Sequence, residues 1–423
     1  MDKPHRQLGL VAALALVLGN MVGSGVFLLP ATLAPHGWSA LGGWVIAIAG
    51  TLALAGCYAA LSRRMPGLCG PYAFVDEAFG ANASYFSAWS YWIGVWVGNA
   101  ALAVAVVSNL TVLWPGLASV PGLGAGAAMA VLLLVTLINL AGVRVVSAVQ
   151  QATTAIKLVP LIAVLAIAGF VLATKGEAAV VTPPTAMDWG AVTTCVTLTM
   201  WAFLGFESAT LPADKIRNPE FTVPFATIAA PALAGLLYMA ISAAMIALVP
   251  AEALAASNAP FADFAAPFLG SEVAALIGLF AAISALGSIN GLTLAAAELP
   301  RALAHAGQFP PSFARLNKAG APAASLWLAG GLAAVLVVMN YSRSLASLFE
   351  FTILVATSAM LVGYLAVALA ALKRLGGVLR IVGLAGTAYA LFALYAAGLE
   401  PNLWCIGLVA AGLPVLLYAR SRP

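Results

Sequence analysis

Residues Gly19 to Gly25 read GNMVGSG in the middle of an apolar stretch long enough to cross a bilayer, and residues Trp201 to Ser208 read WAFLGFES in the middle of another. Hydrocarbon tolerates interrupted helical backbone only where protein or a water-filled cavity surrounds it, because each unpaired N–H or C=O costs several kcal/mol there. The two stretches therefore mark a binding site inside a membrane. Each break runs on into a Leu-Pro pair, Leu29-Pro30 and Leu211-Pro212.

The rest of the chain supplies the membrane-length segments that such breaks require. Of its 423 residues 63% are hydrophobic and only 8% charged, and the mean hydropathy is +1.04. No soluble domain buries that much apolar surface, so the fold class is an all-α membrane protein. At roughly 20 residues per span, twelve transmembrane helices are predicted: 8–33, 41–62, 85–113, 122–143, 148–173, 190–213, 222–249, 271–302, 323–340, 344–371, 378–398 and 400–418. The broken spans are the first and the sixth, each followed by four more continuous ones. An odd number of spans per repeat inverts the second copy, which is the layout of a 5+5 inverted-repeat transporter core. The repeats run over 8–173 and 190–371, the two further helices over 378–418, and residues 1–423 form a single transmembrane domain.

Charge placement orients the chain, since cytoplasmic loops collect Lys and Arg. With twelve spans and an inside N-terminus, only Lys175 and Arg343 of the eighteen Lys and Arg fall on the outer face, and only Lys157 falls deep within a span, since Arg301 and Arg380 stand at the cytoplasmic ends of theirs. Both termini are thus expected in the cytoplasm. The net charge of +4 reports this topology rather than nucleic-acid binding. The acidic outer loops read as ordinary solvation or as a weak attraction for cationic solutes. The first apolar stretch is too long for a cleaved signal and lacks a small-residue cleavage site, so it reads as the first span. Cys57, Cys69, Cys195 and Cys405 have no CxxC spacing and read as packing residues. His5, His36 and His305 are isolated. Neither a metal nor a cofactor nor an enzymatic nucleophile, base and orienter is indicated.

The chemistry of the breaks is more specific. Gly23 and Gly25 permit unwinding and Ser24 adds a hydroxyl, so the N–H groups opening the next half-helix can meet a carboxylate. Freed carbonyls near Trp201 and Leu204 can accept from an α-ammonium group. Together they suit a zwitterionic amino acid. Gly23-Ser24-Gly25 also fits a small-residue packing seam, and it is the matching second break that favours a site. A phosphate loop would end in Lys-Ser/Thr, and this stretch does not.

The segments Asn20 to Pro30 (NMVGSGVFLLP), Gly70 to Phe74 (GPYAF), Tyr91 to Asn99 (YWIGVWVGN), Leu198 to Pro212 with Asn218-Pro219, and Gln308 to Gly320 (QFPPSFARLNKAG) resemble the amino acid-polyamine-organocation transporters. Within that superfamily the likeness is to the basic amino acid/polyamine antiporters of the arginine/agmatine type, and it runs along essentially the whole chain. The resemblance implies the LeuT-like arrangement of broken helices 1 and 6. It further implies that Ser24 and the Gly25 amide hold the substrate carboxylate, while the carbonyls of Met21, Trp201 and Leu204 receive the α-amino group. Trp201 would close over the ligand; an interfacial or packing role is open to any membrane tryptophan, but its mid-span place beside a break favours the functional reading. Asn99, with carbonyls near Gly94 and Val95, would line the distal end. Tyr91, Glu207 and Tyr364 match an inner gate, with Tyr72 beside it. Glu207 is also a functional candidate on its own account, as an ionisable group within the membrane.

Two positions depart from the arginine/agmatine pattern. A second pocket tryptophan falls on Leu292 and a distal serine on Ala356, which removes a cation–π partner worth roughly 0.5–2 kcal/mol and a hydrogen bond to a charged group worth roughly 1.5–3 kcal/mol. Asn290 is placed to compensate in part. The pocket is more apolar and suits a neutral amino acid or a diamine. Lys157 falls where other superfamily members carry a lysine in place of a sodium site, which implies sodium-independent transport, unless it merely snorkels to an interface.

The function expected is therefore an inner-membrane amino acid or polyamine transporter, not an enzyme: a sodium-independent exchanger of the arginine/agmatine type working by alternating access. A proton-coupled or exchange-type neutral amino acid permease is the alternative. A sensor would need a signalling domain, and a channel a continuous polar pore. The expected partners are a small-molecule substrate and the lipid bilayer, with room for a homodimer.

Overall fold

The computed structural model describes residues 8–421, apart from Gly67, Cys69, Pro183, Pro184, Pro212, Asp214, Lys215 and Tyr341, and leaves undescribed the side chains of Ser24, Thr154 and Ala155. His5, Cys69, Pro212 and the Ser24 hydroxyl thus lie outside the described residues, as do the basic residues Lys3, Arg6, Lys215 and Arg422.

The described residues form no β-strand beyond a single bridge between Leu8 and Ile216. In chain order the helices are α1 (Leu10–Met21), α2 (Ser24–Leu33), α3 (Ser39–Arg64), α4 (Pro71–Phe79), α5 (Ala81–Leu110), α6 (Gly116–Ser119), α7 (Leu123–Leu140), α8 (Val143–Ile156) and α9 (Leu158–Lys175). They continue as α10 (Trp189–Met200), α11 (Pro219–Leu248), α12 (Ala251–Ala256), α13 (Pro260–His305), α14 (Ala323–Met339), α15 (Leu345–Arg374), α16 (Leu379–Ala396), α17 (Leu399–Ala410) and α18 (Gly412–Arg420).

Ten helical stretches among the described residues are long and apolar enough to cross a membrane, or eleven when the bent pair α1 and α2 counts as one. Helix α14 is apolar but shorter. The multi-pass, all-helical class expected from composition is therefore present. The apolar expectation over 271–302 corresponds to the longer part of α13, which turns at Gly270 (φ 80, ψ 164). Glycine alone adopts that backbone without strain. Two interruptions escaped the hydropathy pattern. Helices α8 and α9 part at Lys157, and the short helix α4 lies between the spans.

Core positions differ sharply between helices. Helix α5 is buried along nearly its whole length, from Tyr85 to Asn109, and packs against α13 and α15. Its indoles tie it to α13 and α17: Trp92 Nε1 donates to the Ala296 carbonyl at 2.9 Å and Trp89 Nε1 to the Leu408 carbonyl at 3.0 Å. The stretch from α17 through α18, one span by length, and α16 before it are the least buried of the spans, in keeping with two helices added outside the core.

The broken sixth span is held by close contact with α3. A Cβ on Gly43 would lie 2.4 Å from Cys195 Cβ and 3.0 Å from the Cys195 carbonyl carbon, so only hydrogen fits between α3 and α10. Trp44 beside it donates to Ser242 Oγ at 3.0 Å and meets Phe203 edge-on at 5.9 Å. Replacing Gly43 by Val must push α10 outward, at an expected cost of about 1–3 kcal/mol for overpacking. The thermal midpoint of the detergent-solubilised protein should fall for Gly43→Val and stay unchanged for Gly126→Val, because a Cβ at Gly126 meets nothing within 4 Å.

Candidate functional site

The two breaks face one cavity of about 90 Å³, enough for a handful of waters at roughly 10–15 Å³ each. Asn20, Met21, Gly23 and Gly25 line it from the first break, and Trp201, Leu204, Gly205 and Ser208 from the second. Leu102, Ser288, Leu292, Ala295 and Met360 complete the wall.

Backbone geometry explains each break. Helix α1 stops at Met21, Val22 and Gly23 are extended (φ −72, ψ 90 and φ −135, ψ −148), and α2 starts at Ser24. The two half-helices meet at a 44° bend. The first N–H groups of α2 have no intrahelical partner and carry the positive end of its dipole. In the second break a 3-10 turn over Trp201–Phe203 gives way to Leu204 (ψ 131) and Gly205 (φ 103), before a second 3-10 turn over Phe206–Thr210. Gly205 is required twice over, since its φ is left-handed and a Cβ would stand 3.3 Å from Asn20 Cβ.

Polar side chains tie the broken ends together. Asn20 Nδ2 donates to Ser208 Oγ at 2.8 Å, and that hydroxyl donates to the Gly205 carbonyl at 2.6 Å. Lys157, 2% exposed, donates to the Gly19 carbonyl at 2.8 Å and to Ser288 Oγ at 3.0 Å. Ser288 in turn donates to the Val22 carbonyl at 3.1 Å. Gly287 admits this arrangement, because a Cβ there would lie 2.2 Å from Thr153 Oγ1.

Trp201 is 7% exposed and seated on two glycines. A Cβ on Gly25 would approach its Cδ1 to 3.0 Å, and one on Gly98 its ring edge to 2.9 Å. Beneath the second break lies Glu207, fully buried, accepting from Tyr91 Oη at 2.8 Å and Tyr364 Oη at 2.9 Å. Tyr72 meets Tyr91 edge-on at 6.1 Å. Burial, reinforced by the nearby Glu207 carboxyl, raises the Tyr72 phenol above its usual range and keeps it neutral.

The cavity lining thus includes Met21, Gly25, Trp201, Leu204, Leu292 and Tyr91 from the sequence-derived set. Gly94, Val95, Asn99 and Ala356 lie outside the lining. At Gly94 the adjacent space is filled by Met360, whose Cγ would stand 2.3 Å from an added Cβ. Asn99 donates to Thr293 Oγ1 at 3.2 Å, and among the described residues its buried Oδ1 has no partner. Asn290 is turned away, bonded to Asn139, Val146 and Gln150. Asn20, Ser208, Ser288, Ala295 and Met360 join the site from outside that set. Asn20 and Ser208 stand inside the two broken stretches, and a polar residue beside a break was the available signal.

A family model described as amino acid permease matches residues 8–404 of the chain. A cadaverine/lysine antiporter of Escherichia coli (strain K12) is 32% identical over 349 residues, covering 81% of this chain and 78% of that protein. The putrescine transporter PotE of the same strain is 28% identical over 429 residues, covering 99% and 96%. PotE of Haemophilus influenzae is 26% identical over 416 residues, covering 96% and 95%.

The Tyr364 and Glu207 side chains should act as a unit. Removing the Tyr364 hydroxyl leaves a buried acceptor short of a donor, at about 1–3 kcal/mol, and that loss should shrink when Glu207 is already Gln. A double-mutant cycle of Tyr364→Phe and Glu207→Gln, read by thermal midpoint and initial uptake rate, is expected to give a coupling of about 0.5–3 kcal/mol. Additive single effects would contradict the pairing.

Proposed function

The chain belongs to the amino acid permease family of the amino acid-polyamine-organocation superfamily, and from that premise we propose that it exchanges neutral amino acids across the bacterial inner membrane by alternating access, without sodium. Both termini would then face the cytoplasm, in keeping with the distribution of Lys and Arg. The α2 N-terminus supplies amides for the substrate carboxylate, and the carbonyls at Met21, Trp201 and Leu204 supply acceptors for the α-ammonium. Trp201 covers the bound molecule. Exchange needs only that substrate bind the occluded form better than either open form.

One observation carries the substrate reading: among the described residues lining the cavity there is no Asp or Glu, and Leu102, Leu292, Ala295 and Met360 form the wall beside Trp201. A guanidinium or second ammonium buried there would lack a counter-charge, which is costly in an apolar site. Glu207 is held beneath the break by two tyrosines instead. A basic amino acid or polyamine exchanger of the arginine/agmatine kind is the second reading, favoured by relatives named for cadaverine, lysine and putrescine.

Counterflow in proteoliposomes separates the two. Liposomes loaded with leucine or alanine should accumulate the labelled amino acid, with arginine, agmatine, lysine, cadaverine and putrescine competing weakly. Counterflow confined to the basic compounds would overturn the neutral reading, and accumulation in unloaded liposomes driven by a proton gradient would replace exchange by proton coupling. Leu292→Trp should raise the arginine-to-leucine competition ratio several-fold, through a cation–π gain of roughly 0.5–2 kcal/mol.

Transport should be equal in sodium and in choline media, because the Lys157 ammonium already satisfies the Gly19 carbonyl that a cation would otherwise serve. Lys157→Ala leaves that group and Ser288 short of a donor, at about 1–3 kcal/mol. It should lower the exchange rate more than substrate affinity, measured by initial rates against equilibrium binding. Sodium-dependent uptake by the wild type would contradict this role.

A further inference from the structure

At the end of the bundle where Lys373 donates to the Ala78 carbonyl and Arg374 pairs with Glu77, the last turns of α3, the start of α11 and the turn into α16 enclose a groove of about 410 Å³. Its walls are apolar, with Ala60 on α3, Pro224 and Ile228 on α11, and Leu379 on α16, and its mouth carries Arg63 and Arg64. An adjoining depression of about 240 Å³ shares Arg63, Pro224 and Ile228 and extends the apolar floor over Phe221 and Phe225.

The cations at the mouth are unmatched. Arg301, Arg343 and Arg374 each pair with a glutamate, whereas among the described residues neither Arg63 nor Arg64 makes an ion pair or a side-chain hydrogen bond. Both are exposed at the C-terminus of α3, and among the described residues no Asp or Glu lines either depression. Phe221, Phe225 and Ile228 are 55%, 43% and 41% exposed, on a surface that hydrocarbon must cover. An occupant therefore needs an anionic head at the membrane edge and an apolar tail directed into the bilayer.

We infer that this groove binds one anionic phospholipid, its phosphate held by the Arg63 and Arg64 guanidinium groups and an acyl chain laid against α3 and α11. Planar guanidinium groups match phosphate oxygens in a bidentate manner, and basic pockets between helices at the membrane edge favour anionic head groups. The lipid bridges α3, α11 and the α15-to-α16 turn, so its occupancy stabilises the packing that holds the second break. The inference is independent of which amino acid is carried.

The test compares the wild type with the Arg63→Gln/Arg64→Gln double variant and with Ile228→Trp, which fills the apolar slot and leaves the arginines in place. Retained lipid is measured by native mass spectrometry, and thermal midpoints are measured on adding phosphatidylglycerol, phosphatidylcholine or inorganic phosphate to delipidated protein. The wild type should retain phosphatidylglycerol and be stabilised by it alone. The arginine variant should bind it roughly thirty-fold more weakly, the worth of two cationic side chains at a membrane surface, and Ile228→Trp should also lose retention. Equal retention by all three proteins, or equal stabilisation by phosphatidylcholine, would overturn the assignment. Stabilisation of the wild type by inorganic phosphate alone would reduce the site to a free-anion site, and a monomer in the variants where the wild type is a dimer would give the groove to a second copy.

Discussion

Backbone polar groups set free inside an apolar slab must find partners, and the centre of this protein is organised around that demand. Val22 and Gly23 leave the helical ladder, and carbonyls at the end of α1 and in the gap are met by side chains from other elements: Lys157 reaches Gly19, and Ser288 reaches Val22. The second gap is answered by Ser208, which bonds the Gly205 carbonyl while accepting from Asn20 of the first. Each break thus supplies part of the other's support. The N–H groups opening α2 have no intrahelical partner, and Gly23 and Gly25 at that end line the cavity.

Charge is kept apart from this cavity with some care. Lys157 lies behind the first break and directs its protons to Gly19 and Ser288. Glu207 lies beneath the second and accepts from Tyr91 and Tyr364. Each is buried, which without such hydrogen bonding would cost more than the fold could sustain. The space between them is walled by Leu102, Leu292, Ala295 and Met360. The cavity thus combines backbone from the two breaks with an apolar wall of side chains.

The positions of both breaks were legible in the sequence because glycine, set beside polar residues in the middle of a membrane-length run, weakens the helix where hydrocarbon would otherwise enforce it. The helical class followed from hydropathy. Hydropathy could not reveal the division at Lys157 or the turn at Gly270, since an apolar run looks the same whether or not it bends. Facing within the site was harder still. Gly94, Val95, Asn99 and Ala356 are not in the cavity lining; at Gly94 Met360 fills the adjacent space, and a flexible methionine leaves no pattern that marks where it will lie. Asn20 and Ser208, far apart along the chain, become informative only once the two breaks are brought face to face.

The seat of Trp201 has a mechanical consequence. The indole rests on the hydrogen of Gly25 in α2 and on the hydrogen of Gly98 in α5, two surfaces belonging to different helices with no covalent link near the site. It can settle fully only while both helices are at their present separation. Any separation of α2 from α5 would therefore remove part of the seat, so the packing of this one ring depends on two helices at once.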